Sequence, residues 1–194
     1  MKSISKSKSV TKYSLLTIVL HWMSALLVLI AFCLGWIRST FEDNPWDHIL
    51  LVLHQQIGLS IIAILVFRLF FRINTYPENQ KFKSNKFLDL TATVAHIALY
   101  GFLAAMPIMG LLMTNAQGHA VDFLNLITLP NLIPIDPDLA DTFQEWHETC
   151  AQLFLTLIGL HAAAGLFHHY VLKDDVLKNM LLRKRMDNDN QTID

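Results

Sequence analysis

Nine histidines stand in a chain of 194 residues that is 53% hydrophobic and only 16% charged. Imidazole is the commonest metal ligand among side chains, and it titrates close to neutral pH. Five of the nine, His21, His54, His96, His147 and His161, fall inside long apolar runs. An ionisable group in hydrocarbon is costly and marks a functional site by default. The structural alternative is a neutral His that bonds across helices as packing glue. Five His in four apolar segments weigh against packing alone. His147 and His161 are 14 residues apart, close to four turns of α-helix, so they share one face at a separation of about 21 Å. One metal cannot span that distance, but two cofactors, one near each membrane face, can each take one of them.

Elements must position these side chains. Covering about 30 Å of hydrocarbon takes roughly 20 apolar residues in a helix. Four such runs occur, at about 14–37, 49–71, 91–114 and 145–172, the third interrupted by Pro107. A lone strand cannot satisfy its backbone in lipid, so each is expected to be helical. The expected fold is therefore all-α: an integral membrane four-helix bundle forming a single transmembrane unit over residues 1–194. A soluble domain carries about 25% charged residues, so an ordinary soluble enzyme, a disordered chain and a nucleic-acid binder are all disfavoured. The two Cys form no Cys-x-x-Cys or Cys-x-x-Cys-His pattern, which excludes a zinc ribbon, a disulfide scaffold and covalently attached haem. Cys33 and Cys150 read as small apolar residues. The first apolar run exceeds the core of about 7–15 residues typical of a signal peptide and lacks a small-residue cleavage pattern. It reads as an uncleaved span.

Charge placement orients the bundle. Lys2, Lys6, Lys8 and Lys12 precede the first span; Arg68, Arg72, Lys81, Lys83 and Lys86 lie around the second loop; Lys173, Lys178, Arg183, Lys184 and Arg185 follow the fourth. Only Arg38 of the 15 basic residues is on the other side. The positive-inside rule then places both termini in the cytoplasm. The outer side carries nine acidic residues, Glu42, Asp43, Asp47, Asp122, Asp136, Asp138, Asp141, Glu145 and Glu148, with Trp36, Trp46 and Trp146 near the interface. In this frame His54 and His147 share the outer level. His21 and His161 share the inner level, where His96 competes with His21. Two imidazoles from facing helices are how a bundle core holds a non-covalent haem. Gly58, Gly159, Ala162, Ala163, Ala164 and Gly165 are small enough to leave room for a flat ring. Zinc would need three or four converging ligands, and the pairs are separated in depth. Arg68 and Arg72, one turn apart, suit haem propionates as well as the positive-inside role. Lys173 can line a quinone pocket, and His168, His169 and Tyr170 can exchange protons with a quinone headgroup. On the outer side Arg38, His48 and His119 are the available donors.

With these motifs the chain resembles bacterial cytochrome b561, the four-helix di-haem membrane cytochrome. The resemblance rests on His21-Trp22, on His54-x-x-x-Gly58, on Trp146-His147-Glu148 and on Gly159-Leu160-His161-Ala162-Ala163-Ala164. His168-His169-Tyr170-x-x-Lys173-Asp174 and the Arg183-Lys184-Arg185 tail add to it. It implies two non-covalent b haems with bis-His ligation, His21 and His161 on the inner iron and His54 and His147 on the outer. It also implies residence in a bacterial inner membrane and electron exchange with ubiquinone. Some members are superoxide:ubiquinone oxidoreductases, which oxidise superoxide to dioxygen and reduce ubiquinone. A looser similarity to the cytochrome b subunits of hydrogenases and formate dehydrogenases implies instead a soluble electron-donating partner. A third expectation is a non-redox four-helix membrane protein whose His serve packing or proton transfer. The acidic outer loops oppose superoxide, because their field slows the approach of an anion.

Overall fold

The computed structural model describes residues 14–41, 45–74, 86–124 and 126–181. Lys2, Lys6, Lys8, Lys12, Glu42, Asp43, Lys81, Lys83 and Arg183 to Arg185 lie outside them. The chain runs α1 (Leu15–Thr40), α2 (Asp47–Asn74), α3 (Lys86–Ala116), β1 (Val121–Phe123), β2 (Ile127–Leu129), α4 (Pro137–Phe167), one π-helical turn (His168–Leu172) and α5 (Val176–Met180). Four helices are long and apolar enough to cross a membrane: Leu15–Thr40, Asp47–Ile73, Leu88–Ala116 and Pro137–Leu172. The expected four-helix membrane bundle is present, with α1 packed on α2, α2 on α3, and α3 on α4.

Local chemistry sets the helix ends. Ser14 caps α1 by accepting from the Thr17 N–H at 3.2 Å. Asp136 caps α4 by accepting from Leu139 N–H at 3.1 Å, and Pro137 follows at the first helical position, where its missing N–H costs nothing. That cap starts α4 eight residues before the expected Glu145. From Pro137 to Leu172 a helix measures about 54 Å, well beyond the hydrocarbon, so its first turns stand clear of the membrane with Asp138 and Asp141. Pro107 does not break α3, which continues on both sides of it. Neighbouring helices can support a membrane helix across such a residue. Here a Cβ on Gly58 of α2 would lie 3.8 Å from the Pro107 Cβ, so Gly58 serves close α2–α3 packing.

The buried core is small and lies at mid-bundle: Val28, Ile61, Leu65, Leu103 and Phe154. Phe154 stacks on Phe102, centroids 5.3 Å apart, and meets Phe32 at 6.0 Å. The outward faces are apolar instead, with Leu29 58% and Ile97 67% exposed. Such a surface is stable only against lipid. At one end, an antiparallel β1–β2 hairpin occupies the α3–α4 connection, where sequence had suggested only a loop. Gln56 of α2 pins it, donating to the Asp122 carbonyl at 2.6 Å and accepting from Leu124 N–H at 2.8 Å. Fully buried Asn115 holds the following segment through Asn131 at 3.3 Å and Leu132 N–H at 2.9 Å. At the opposite end, Trp22 Nε1 donates to the Met180 carbonyl at 2.7 Å and ties α5 to α1.

Candidate functional site

The helices bring the membrane histidines together in two layers. At the hairpin end, His54 of α2 faces His147 of α4, ring centroids 6.1 Å apart. At the opposite end, where α1 begins and α5 lies, His21 of α1 faces His161 of α4 at 6.4 Å. His96 of α3 also reaches His161, at 5.4 Å. The 14-residue interval thus gives α4 one His in each layer. Phe154, seven residues from each, lies between the layers with Phe32 and Phe102 against it.

The spacing bears on what the pairs can hold. Two imidazoles binding one metal ion from opposite sides, at about 2 Å per bond, put their ring centres about 6.3 Å apart. The His54–His147 and His21–His161 separations fit that geometry, and the 5.4 Å of His96–His161 falls short of it. His54 Nδ1 donates to the Ala31 carbonyl at 3.0 Å, which leaves Nε2 with the free lone pair a ligand needs. His147 Nδ1 is buried, with the Met106 backbone carbonyl as its nearby acceptor and no hydrogen bond of good geometry. His96 Nδ1 is bound to the Ala92 carbonyl of its own helix at 2.7 Å. Among the described residues, no three His, Cys, Asp or Glu side chains converge on a point that a metal ion could occupy.

Two further small residues, Gly35 and Gly110, lie against the His rings. A Cβ on Gly35 of α1 would sit 3.5 Å from His54 Cε1, and one on Gly110 of α3 would sit 3.5 Å from His147 Cε1. Each imidazole of the hairpin-end pair therefore lies flush against a glycine of a neighbouring helix. Gly159 and Gly165 face open space, and Ala162, Ala163 and Ala164 are exposed. These five leave open space beside α4 and touch no other helix side chain at Gly159 and Gly165. Gly35 and Gly110 escaped notice because helical periodicity alone does not say which faces of α1 and α3 oppose the His rings.

The charged groups separate by layer. Arg68 and Arg72 both place their guanidinium over the Tyr100 ring, at 5.2 and 5.5 Å. Arg68 Nη2 also lies 3.4 Å from His21 Nδ1. Arg72 instead lines a cleft of about 350 Å³ between α2 and α3, together with Thr93, His96 and Tyr100. In the hairpin-end layer, Arg38 forms a forked pair with Asp47, at 2.8 and 3.4 Å, so this cation is already engaged. Both cysteines are free thiols. Of the group after α4, His168 Nδ1 is 2.5 Å from Asp174 Oδ2, and His169 packs edge-on against Tyr170 with its Nδ1 buried and without a hydrogen-bond partner among the described residues. Lys173 ends the turn in the left-handed conformation, at φ 53°. In the sequence Asp174 stands only as the end of the His168-His169-Tyr170-x-x-Lys173-Asp174 motif, with no partner assigned to it.

Comparison with known proteins agrees with this geometry. Residues 12–183 match the family described as prokaryotic cytochrome b561. The chain is 33% identical over 175 residues to the Yersinia pestis protein named Probable superoxide oxidase CybB, covering 90% of this chain and 98% of that one. It is 29% identical over 177 residues to cytochrome b561 homolog 2 of Escherichia coli (strain K12), covering 91% and 94% respectively. Cytochrome b561 homolog 1 of the same organism is 27% identical over 175 residues, 90% of this chain and 99% of its own length. The chain belongs to the prokaryotic cytochrome b561 family, membrane electron-transfer proteins that bind haem b.

Proposed function

We propose that this protein is a di-haem b electron carrier of a bacterial inner membrane, with both termini in the cytoplasm, that reduces ubiquinone with electrons taken from superoxide. The observation that carries this reading is the pair of His–His contacts, 6.1 and 6.4 Å between centroids, at two depths of one bundle. His54 and His147 are the outer ligands; His21 and His161 are the inner ones. When bound, haem supplies a one-electron iron couple at each level. The chain holds the ligands, spaces them and keeps water out. The Ala31 carbonyl fixes the tautomer and orientation of His54. Phe154, Phe32 and Phe102 fill the space between layers with apolar side chains.

Arg68 has a specific task here. Its contact with His21 Nδ1 requires that nitrogen to accept, which leaves the proton on Nε2. Ligation through Nε2 needs the opposite tautomer, and that turns the Arg68 donors towards a propionate carboxylate. Arg72 adds charge at the same level. On the cytoplasmic side His168, His169, Tyr170 and Lys173 form the quinone end. Two superoxide ions lose one electron each to become dioxygen, and ubiquinone takes those two electrons and two protons to become ubiquinol.

The donor rests on the Yersinia relative named as a superoxide oxidase. A second reading, the cytochrome b subunit of a membrane-bound dehydrogenase or hydrogenase, is favoured by the acidic outer face and by the pairing of Arg38 to Asp47. Such a face repels an anion and suits a basic protein partner. The purified protein alone should reduce ubiquinone when superoxide is generated, and superoxide dismutase should abolish the activity. Failure of that reaction, with a dehydrogenase co-purifying, would establish the subunit reading instead.

A further inference from the structure

We propose that Asp174 is the positioning residue that makes His168 the proton donor to the reduced quinone, the two forming a carboxylate–imidazole dyad built into the end of α4. The proposal rests on the quinone-reducing reading above. It starts from the backbone. After Phe167, α4 widens into the π-helical turn His168–Leu172, a local irregularity that often marks functional positions. Lys173 then adopts φ 53°, ψ 35°, a conformation that costs a residue with a Cβ about 1–2 kcal/mol. Its N–H, and that of Asp174 at 3.2 Å, both return to the His168 carbonyl. This reversal folds the chain back so that Asp174 meets the side chain six residues earlier.

The Asp174 carboxylate is fixed at both oxygens. Oδ2 is 2.5 Å from His168 Nδ1, and Oδ1 accepts from the Val176 N–H at 3.1 Å. The second bond anchors it to the start of α5, which Trp22 holds to α1 through Met180. The neighbouring Asp175 is taken by Lys178 at 3.1 Å. A carboxylate accepts only, so His168 must carry its proton on Nδ1, and Nε2 is left as the nitrogen that exchanges protons. The imidazole is about a quarter exposed, enough to touch a ligand at the bundle edge and to refill from water. The other titratable groups on the packed elements are His169, Tyr170 and Lys173 on the same turn, Asp175 and Lys178 on α5, and His161 on α4. Of these, Lys173 meets His168 through its backbone N–H, which donates to the His168 carbonyl, and Asp174 is the partner of the His168 ring.

The step balances as follows. The quinone gains two electrons, one at a time, from the carrier. Protonated His168 gives its Nε2 proton to a quinone oxygen, forming one O–H bond, and the neutral imidazole regains a proton from cytoplasmic water. The second proton of the quinol arrives by the same cycle. Asp174 holds the ring in place throughout.

The test uses full-length, haem-loaded protein and a soluble ubiquinone analogue. Asp174→Asn removes the charge and keeps a single acceptor oxygen, so the Val176 N–H and the His168 Nδ1–H can no longer both be satisfied. The expected result is a fall of about 10–100-fold in kcat, the range seen when the partner of a working His is removed. KM should stay within about twofold, and haem reduction by dithionite should be unchanged. Histidine 15N NMR should show His168 in the Nδ1–H form in the parent and a mixture of tautomers in the variant. His168→Gln should be as slow as the double variant. A parent-like kcat in Asp174→Asn beside a slow His168→Gln would overturn the proposal. So would a joint loss of kcat, KM and thermal stability with an unchanged tautomer, which would make Asp174 a structural staple. If His168→Gln itself reduces quinone normally, the failure lies with placing the quinone at this end.

Discussion

At the scale of single residues, the inner layer poses the sharpest choice, because three imidazoles from three helices meet there. His161 touches both His21 and His96. Spacing favours His21, since 6.4 Å suits a shared ion and 5.4 Å does not. His96 is turned to the Ala92 carbonyl and to the cleft that it lines with Arg72 and Tyr100. His21→Ala should therefore lose the inner haem, and His96→Ala should keep both, as read from the haem content of each purified variant. The reverse pattern would exchange their roles. The meeting of five His in two layers was legible in the sequence because helical pitch converts 14 residues into a fixed face and depth. The rivalry of His21 and His96 was not resolvable there, since two helices entering one level differ only in side-chain distance. Asp174 was illegible for a different reason: its link to His168 depends on a π turn and a left-handed lysine, which no periodicity encodes.

At the scale of elements, the long apolar helices followed directly from run length, and the departures lie at their ends. A polar cap, not hydropathy, decides where α4 begins, so Asp136 moved its start to Pro137. The α3–α4 connection was misread because its strands span only three residues each and its fasteners are distant in sequence. Gln56 and Asn115 hold it from α2 and α3. Asn115→Ala would leave the Leu132 N–H without its acceptor at a buried position. We expect a loss of about 1–3 kcal/mol, seen as a lower thermal midpoint in detergent. Faster proteolysis within residues 117–136 should accompany it while haem content is retained. Unchanged protease resistance would mean that the hairpin is held from α2 alone.

At the scale of the whole molecule, the near-neutral chain is strongly polarised. Among the described residues, Arg68, Arg72, Lys173 and Lys178 lie towards the His21–His161 end and Asp122, Asp136, Asp138 and Asp141 towards the hairpin end, with the two His layers between them. On the proposed reading, the acidic end would face the electron donor and the basic end the quinone. Everything in that scheme depends on two cofactors per chain. The most direct test is the haem-to-protein ratio of the purified, full-length protein, with a reduced-minus-oxidised spectrum to identify the haem. Two b-type haems per chain are predicted. A ratio of one would remove one of the two His pairs, and a protein without a b-type spectrum would contradict the electron-carrier reading altogether.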